Sequence, residues 1–223
     1  MSKSIPISPP SPRATLKRAP DRGHYDRETV YAILDEGLVA HLGVVVDGAP
    51  RVIPFVYARI DDDLYLHGST GNRVLRALRD GAPGCLTVTH IDGLVLARSA
   101  FHHSVNYRSV VAHGAGVEVT DPEERKRALD ATVDQVANGR AKDVRPPNDE
   151  ELRRTMVVRM SLAEASAKMR SGEPIEDPDD LGLPHWAGVL PMRQAFGEPT
   201  GDSLLQHDID VPGYLVDYSR TEG

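Results

Sequence analysis

The residues best suited to chemistry lie in Leu64-Tyr65-Leu66-His67-Gly68-Ser69-Thr70-Gly71-Asn72-Arg73-Val74-Leu75-Arg76-Ala77-Leu78. An apolar strand pattern runs through a Gly/hydroxyl turn into a helix pattern headed by an arginine. That combination suits a phosphate. Gly68 and Gly71 let backbone N–H groups come close, Ser69 and Thr70 add hydroxyl donors, and Arg73 puts a fixed charge at the positive end of a helix dipole. The turn lacks the spacing and the lysine of GxxxxGK[ST], and a strand–turn–helix joint of this kind also serves as a plain structural connection. The neighbouring elements decide between the two.

The chain has 223 residues, enough for one domain with a substantial core and appendages at its ends. Residues 1 to 20 are rich in proline and serine and lack an apolar signal-peptide segment, so a disordered arm is expected there. No stretch approaches the roughly 20 apolar residues that span a bilayer, which makes no membrane partner and a cytoplasmic location the expectation. The formal net charge of −7 argues against a nucleic-acid partner, which needs a basic face. A single cysteine, Cys85, excludes an internal disulfide; in Gly84-Cys85-Leu86-Thr87-Val88-Thr89 it reads as a small buried strand residue.

Asp26 to Gly37 reads as a short amphipathic helix, with Asp26 as N-cap and Val30, Ile33 and Leu34 on one face. Two Val/Ile-rich runs, Leu38 to Val46 and Pro50 to Ile60, meet at Asp47-Gly48, a strong hairpin signal. Asp61-Asp62-Asp63 turns the chain into Leu64 to His67; the triple Asp suits a solvated turn better than a calcium loop. Gly84 to Ile91 and Leu94 to Ser99 read as a second hairpin around Asp92-Gly93. Val105 to Val119 reads as one long strand with a corner at Gly114 and Gly116. Thr120 to Glu124 then launches a helix reaching about Asn138, and Arg154 to Leu162 is a further strand. Gly172 to Pro184 is an acidic, proline-bearing loop, and beyond Pro191 the pattern weakens. The expected fold is mainly β: an antiparallel six-stranded split barrel with a few helices over residues 21 to 191, followed by a C-terminal extension over 192 to 223.

With these elements in order, the chain resembles the pyridoxamine 5′-phosphate oxidase-like superfamily of flavin-binding split barrels, and within it the nitroimidazole-resistance-related branch. The likeness covers roughly residues 13 to 191. Its marks are Leu64 to Arg73, Ser104 to Val111, the strand Arg154 to Val158 with Lys168 and Arg170 after it, and Trp186-Ala187-Gly188. The resemblance implies a homodimer with FMN at the interface, its phosphate held at His67, Gly68, Ser69, Thr70, Asn72 and Arg73. It puts Arg51 on the flavin-binding strand, Arg108 and Ser109 at the ring, and Trp186 beside the partner's flavin. Many relatives carry a second cation where this chain has Val74, and the later lysine of the Arg51 strand is absent. His67 matches an active-site histidine of the nitroimidazole-resistance branch, which makes it the catalytic candidate. His113 is a strand histidine with a haem-ligand reading behind a structural one. His102 and His103, read as adjacent strand residues, face opposite ways and do not form one metal site; no metal residue is assigned.

The function so implied is a flavin-dependent oxidoreductase acting on a small organic substrate. No Ser/His/Asp triad is needed, because the flavin itself carries the redox chemistry. The alternatives are a flavin- or haem-binding carrier or sensor and a deazaflavin-dependent reductase, with FAD or deazaflavin in place of FMN. Pyridoxamine phosphate oxidation itself is disfavoured, since Gly201-Asp202 stands where those oxidases place a basic grip.

Overall fold

The computed structural model describes residues 8–206 and 209–220. The parts of the expected arm and C-terminal extension on residues 1–7, 207–208 and 221–223 lie outside the described residues. Ten strands form one antiparallel sheet: β1 (Gly23–His24), β2 (Val39–Val46), β3 (Ala49–Ile60), β4 (Asp63–Ser69), β5 (Gly84–Leu96), β6 (Ser104–Gly114), β7 (Gly116–Glu118), β8 (Thr155–Ser161), β9 (Ala165–Arg170) and β10 (Gly188–Pro191). Their order is β1-β9-β6-β5-β2-β3-β4-β8-β7, with β10 on β5. Because β6 and β7 are one strand broken at Ala115, the path β6-β5-β2-β3-β4-β8-β7 returns to its start, and the six-stranded split barrel is this ring. β1, β9 and β10 lie outside it. Sequence periodicity missed all three, since two of them have four residues or fewer and β9 shows no clean alternation.

The corner depends on the glycine at Gly116. A Cβ there would stand 2.4 Å from Val158 Cγ1 and 2.9 Å from Leu78 Cγ, so only a bare backbone lets β7 leave β6's neighbours and pair with β8. The two Asp-Gly dipeptides part company. Asp47 and Gly48 both have positive φ (51° and 74°), as a tight I′ hairpin turn requires. Asp92-Gly93, expected as a second hairpin, is instead a bulge inside the single strand β5: the register against β6 shifts between Ile91 and Gly93, and β10 takes up the other edge.

Helix α1 (Arg27–Glu36) starts where Asp26 accepts from Thr29 N at 2.8 Å and buries Val30, Ile33 and Leu34 inside one end of the barrel. Helix α2 (Arg73–Arg79) covers the interior from the other end with Val74, Leu75 and Leu78. Between them Leu42, Tyr57, Leu64, Leu66, Leu86 and Met160 are sealed from solvent. Helix α3 (Pro122–Val136) lies outside, over Tyr65, Val119 and Val157. A short helix α4 (Asp149–Arg154), closed by an Asn148/Glu151 capping box, leads into β8. Among the described residues no helix is long and apolar enough to cross a membrane.

Both appendages are tied down where they are described. The arm expected to be loose is anchored: Ala14 is buried, Arg13 Nε donates to Glu164 at 2.7 Å, and Leu16 N donates to Tyr25 Oη at 3.0 Å. In the tail, Arg220 donates to the carbonyls of Asp35, Glu36 and Gly37 (3.0, 2.9 and 3.2 Å), and Tyr218 Oη donates to Val136 O at 3.1 Å. These carbonyls lie at the ends of α1 and α3, helices that carry no basic residue in their own last turns, and Gln135 Nε2 of α3 also donates to Asp35 O at 3.3 Å and Gly37 O at 2.5 Å. The tail therefore shares in capping both helices. Replacing Gly116 with alanine is expected to cost about 1–3 kcal/mol through overpacking at the corner, read as a lowered urea midpoint with an unchanged slope.

Candidate functional site

The barrel interior is filled, so the surfaces free for chemistry are the outer face of the sheet and its ends. Residues directly opposite in antiparallel strands share a face. Opposite pairs place Pro54, His41, Thr87 and Val111 on one rung of the outer face, and Val52, Gly43, Cys85 and His113 on the next. Where α3 covers β3, β4 and β8, the outer face is dry. Over β2, β5 and the first half of β3 it is bare, with Val52 66%, Val45 58% and Val39 42% exposed. Cys85, expected to be buried, is on this bare face; the alternation that buries Leu86 and Val88 turns it outward.

The turn that suggested an anion site satisfies its own amides. Thr70 N donates to Arg154 O at 3.0 Å, Asn72 N to Ser69 O at 2.8 Å, and Gly71 N to Ser69 Oγ at 3.2 Å. Asn72 is the N-cap of α2, its Oδ1 accepting from Val74 N and Leu75 N at 3.0 and 3.1 Å. Backbone donors expected to cradle a phosphate are thus spent, and Asn72 acts as a cap. Gly68 is explained by packing, since a Cβ there would come 3.0 Å from Leu75 Cδ1. What remains for an anion is the Thr70 hydroxyl and two guanidinium groups. Arg73 is exposed and pairs only with the equally exposed Asp47 of the hairpin turn, an interaction worth little in water. Arg51, three residues past that turn, is exposed with no side-chain partner.

His67 lies between the turn and the dry part of the sheet, opposite Val157. Its Nδ1 is buried without a hydrogen-bond partner, and burial pushes its pKa below the ordinary 6.5. The ring is therefore neutral at pH 7 and carries an unused polar atom.

Arg108 belongs to a different cluster. Its guanidinium donates to Asp92 Oδ1 and Oδ2 at 2.8 and 3.0 Å, to Glu36 Oε1 at 2.9 Å, and to Glu36 Oε2. The paired carboxylates hold it charged, and its guanidinium in turn holds the Glu36 carboxyl below its ordinary value. His90 completes the group, its Nε2 donating to Ile33 O at 2.9 Å. This cluster floors a cavity of about 920 Å³ whose far wall is the C-terminal tail, including Phe196, Tyr218 and Arg220. Ser109 Oγ donates to Lys168 O at 3.2 Å. Glu36 and Asp47 flank the eight residues of β2, roughly 26 Å apart at about 3.3 Å per residue. Within one chain, then, Arg51 and Arg73 share one end of β2, and Arg108 sits at the other.

The remaining candidates gather where β5 ends. Trp186 is 69% exposed beside Gly188, which pairs with Leu96. His102 and His103 are not strand residues: a 3₁₀ turn over Ala100–His102 precedes β6. His102 Nε2 meets Asp177 Oδ2 at 3.1 Å, and His103 Nδ1 meets Ser99 O at 3.0 Å. His102, Asp177 and Asp180 stand close enough to share an ion, an arrangement hidden from a strand reading. His113 has no side-chain partner on its bare face.

A family model described as pyridoxamine 5′-phosphate oxidase matches residues 26–169, the whole barrel through β9's Met169. The chain belongs to this family. Among solved structures it is similar to the flavocytochrome Anf3 from Azotobacter vinelandii, at 38% identity over 94% of this chain and 98% of that one, with a TM-score of 0.89. The FAD and heme binding protein from Mycobacterium smegmatis matches at 32% identity over 87% of this chain and 96% of that one, TM-score 0.83. A candidate 5-nitroimidazole antibiotic resistance protein from Bacteroides thetaiotaomicron shares the fold at 22% identity over 66% of this chain and 85% of that one, TM-score 0.55. No curated protein matches. The family barrel ends before the tail, whereas the flavocytochrome likeness takes in nearly the full chain.

Replacing Arg108 with alanine leaves two half-buried carboxylates facing each other and is expected to cost about 1–3 kcal/mol. Since the fold depresses the Glu36 pKa, its pairing stabilises at neutral pH and is lost as pH falls below about 4.5. Denaturation midpoints measured from pH 7 to pH 3 should therefore fall more steeply for wild type than for Arg108→Gln.

Proposed function

We propose that this chain is a flavin- and haem-binding redox protein, working as a homodimer on a small organic substrate. The observation that carries the reading is the near full-length likeness to a flavocytochrome, joined by a second likeness to a protein that binds FAD and heme. The second of these favours FAD over the FMN expected from the sequence. Bound flavin supplies hydride and electron chemistry, and bound haem supplies one-electron chemistry at iron.

The residues present fit a flavin phosphate. Arg73 exchanges an exposed aspartate for a phosphate at small cost, Arg51 is unpaired beside it, and planar guanidinium groups make paired hydrogen bonds to phosphate oxygens. Thr70 adds a hydroxyl. His67, neutral and carrying an orphaned Nδ1, suits holding or passing a proton for a flavin bound at this rim. The bare outer face with Val39, Val45 and Val52 is apolar enough to pack against a second copy. A copy packed on this face about a two-fold axis perpendicular to β2 would bring the Arg108 end of one β2 toward the Arg73 end of the other, an arrangement that suits a site composed from two chains. The residues also fit a haem, which needs an apolar wall and a neutral imidazole. Phe101, 88% exposed, and Trp186 supply exposed aromatic surface at the end of β5, with histidines beside them.

Protein purified without added cofactor should show flavin absorbance in the blue together with a Soret band; a colourless preparation that takes up neither group on addition contradicts the proposal. Arg73→Ala should weaken flavin about 10- to 100-fold, the loss of a charge-assisted bond of roughly 1.5–3 kcal/mol, with the melting temperature unmoved. Val52→Asp should convert the dimer to monomer in light scattering and weaken flavin with it.

A further inference from the structure

Haem ligation by a histidine has a recognisable geometry. One ring nitrogen is fixed as a donor by an oxygen, which sets the tautomer, and the other presents its lone pair to the iron. Among the described histidines, most do not offer this. His90 spends Nε2 on Ile33 O, and His102 spends Nε2 on Asp177. His67 Nδ1 is buried and unpartnered. His24, His41, His113 and His185 have no side-chain hydrogen bond to orient them.

His103 is different. A carbonyl oxygen only accepts, so the 3.0 Å contact with Ser99 O fixes the hydrogen on Nδ1. In the neutral ring this leaves Nε2 as a lone pair, on an exposed residue with no partner there. The backbone that places it is held from several sides. His102 N also donates to Ser99 O at 3.3 Å, and Arg98 N and Nη1 donate to Glu176 Oε1 at 2.9 and 3.1 Å. Asn106 Nδ2 donates to Gly172 O at 3.1 Å. These bonds join residues 97–106 to residues 172–177, so the histidine stands on a braced loop.

Its surroundings suit a flat apolar ligand. Phe101, two residues before it, is 88% exposed and meets His102 edge-on with ring centroids 5.2 Å apart. Large aromatic side chains left bare in this way bury their area only when something covers them.

We infer that His103 would ligate a haem iron through Nε2, with the exposed Phe101 supplying apolar surface beside it. This rests on the haem-binding reading above. The test titrates the full chain with haemin and follows the Soret band. Wild type should take up haem with a histidine-ligated spectrum. His103→Ala should lose that spectrum or bind haem about tenfold or more weakly, with unchanged far-UV circular dichroism and melting. His103→Gly should regain it on addition of imidazole, a rescue that a purely structural residue would not show. An unchanged spectrum and affinity in His103→Ala, or loss of the band in His113→Ala or His185→Ala instead, would overturn the assignment while leaving haem binding intact. A wild-type chain that takes up no haem overturns the assignment and the haem reading together, a result distinct from the others.

Discussion

A small closed barrel has an interior wide enough for side chains and little else, and that constraint governs where this protein can do anything. Gly116 lets one strand serve two neighbours and close the ring, α1 and α2 fill the interior from its ends, and every inward residue of the ring is spent on packing. Ligands are therefore left the outer face, the rims and the loops. Because side chains alternate across a strand, the residues that bury Leu42, Leu86 and Val88 also turn His41, Cys85 and Thr87 outward. The bare face is the other side of the core's own pattern.

Three outward regions result, and they differ in chemistry. The Asp47 rim carries guanidinium groups whose only partner is solvated. The Glu36 end carries a guanidinium neutralised by two carboxylates, roofed by a tail that caps two helices. At the end of β5, aromatic side chains and an oriented imidazole stand exposed. A cation that is free, one that is fully paired, and an apolar edge with a nitrogen lone pair are different instruments. The first two stand at opposite ends of β2, roughly 26 Å apart, and do not form one site within one chain. A cofactor long enough to need both ends of β2, or two cofactors on a two-fold dimer, makes use of this spacing.

The fold was largely legible in the sequence, for local reasons. The caps at Asp26 and Asp121, the Asp47-Gly48 turn and the Gly114/Gly116 corner are short-range signals whose physics is complete within a few residues. Asp92-Gly93 misled because a bulge and a hairpin draw on the same dipeptide, and only pairing across the sheet separates them. The site was less legible. That Arg73 is cheaply released and Arg108 firmly held depends on Asp47, Glu36 and Asp92, partners contributed by distant turns. The turn at Ser69 looked like an anion cradle because glycines and hydroxyls also suit a turn that satisfies its own amides. His103 needed the Ser99 carbonyl, and no spacing rule reports a side chain's reach back to its own backbone.

The central claim is that a flavin is held on the outer face where two copies of the chain meet. Native mass spectrometry of the intact purified protein tests it most directly. The account predicts a mass of two chains carrying bound flavin, with flavin and dimer lost together when Val52 is replaced by aspartate. Flavin retained at full occupancy on a monomer, or a dimer whose flavin content ignores that substitution, would contradict it.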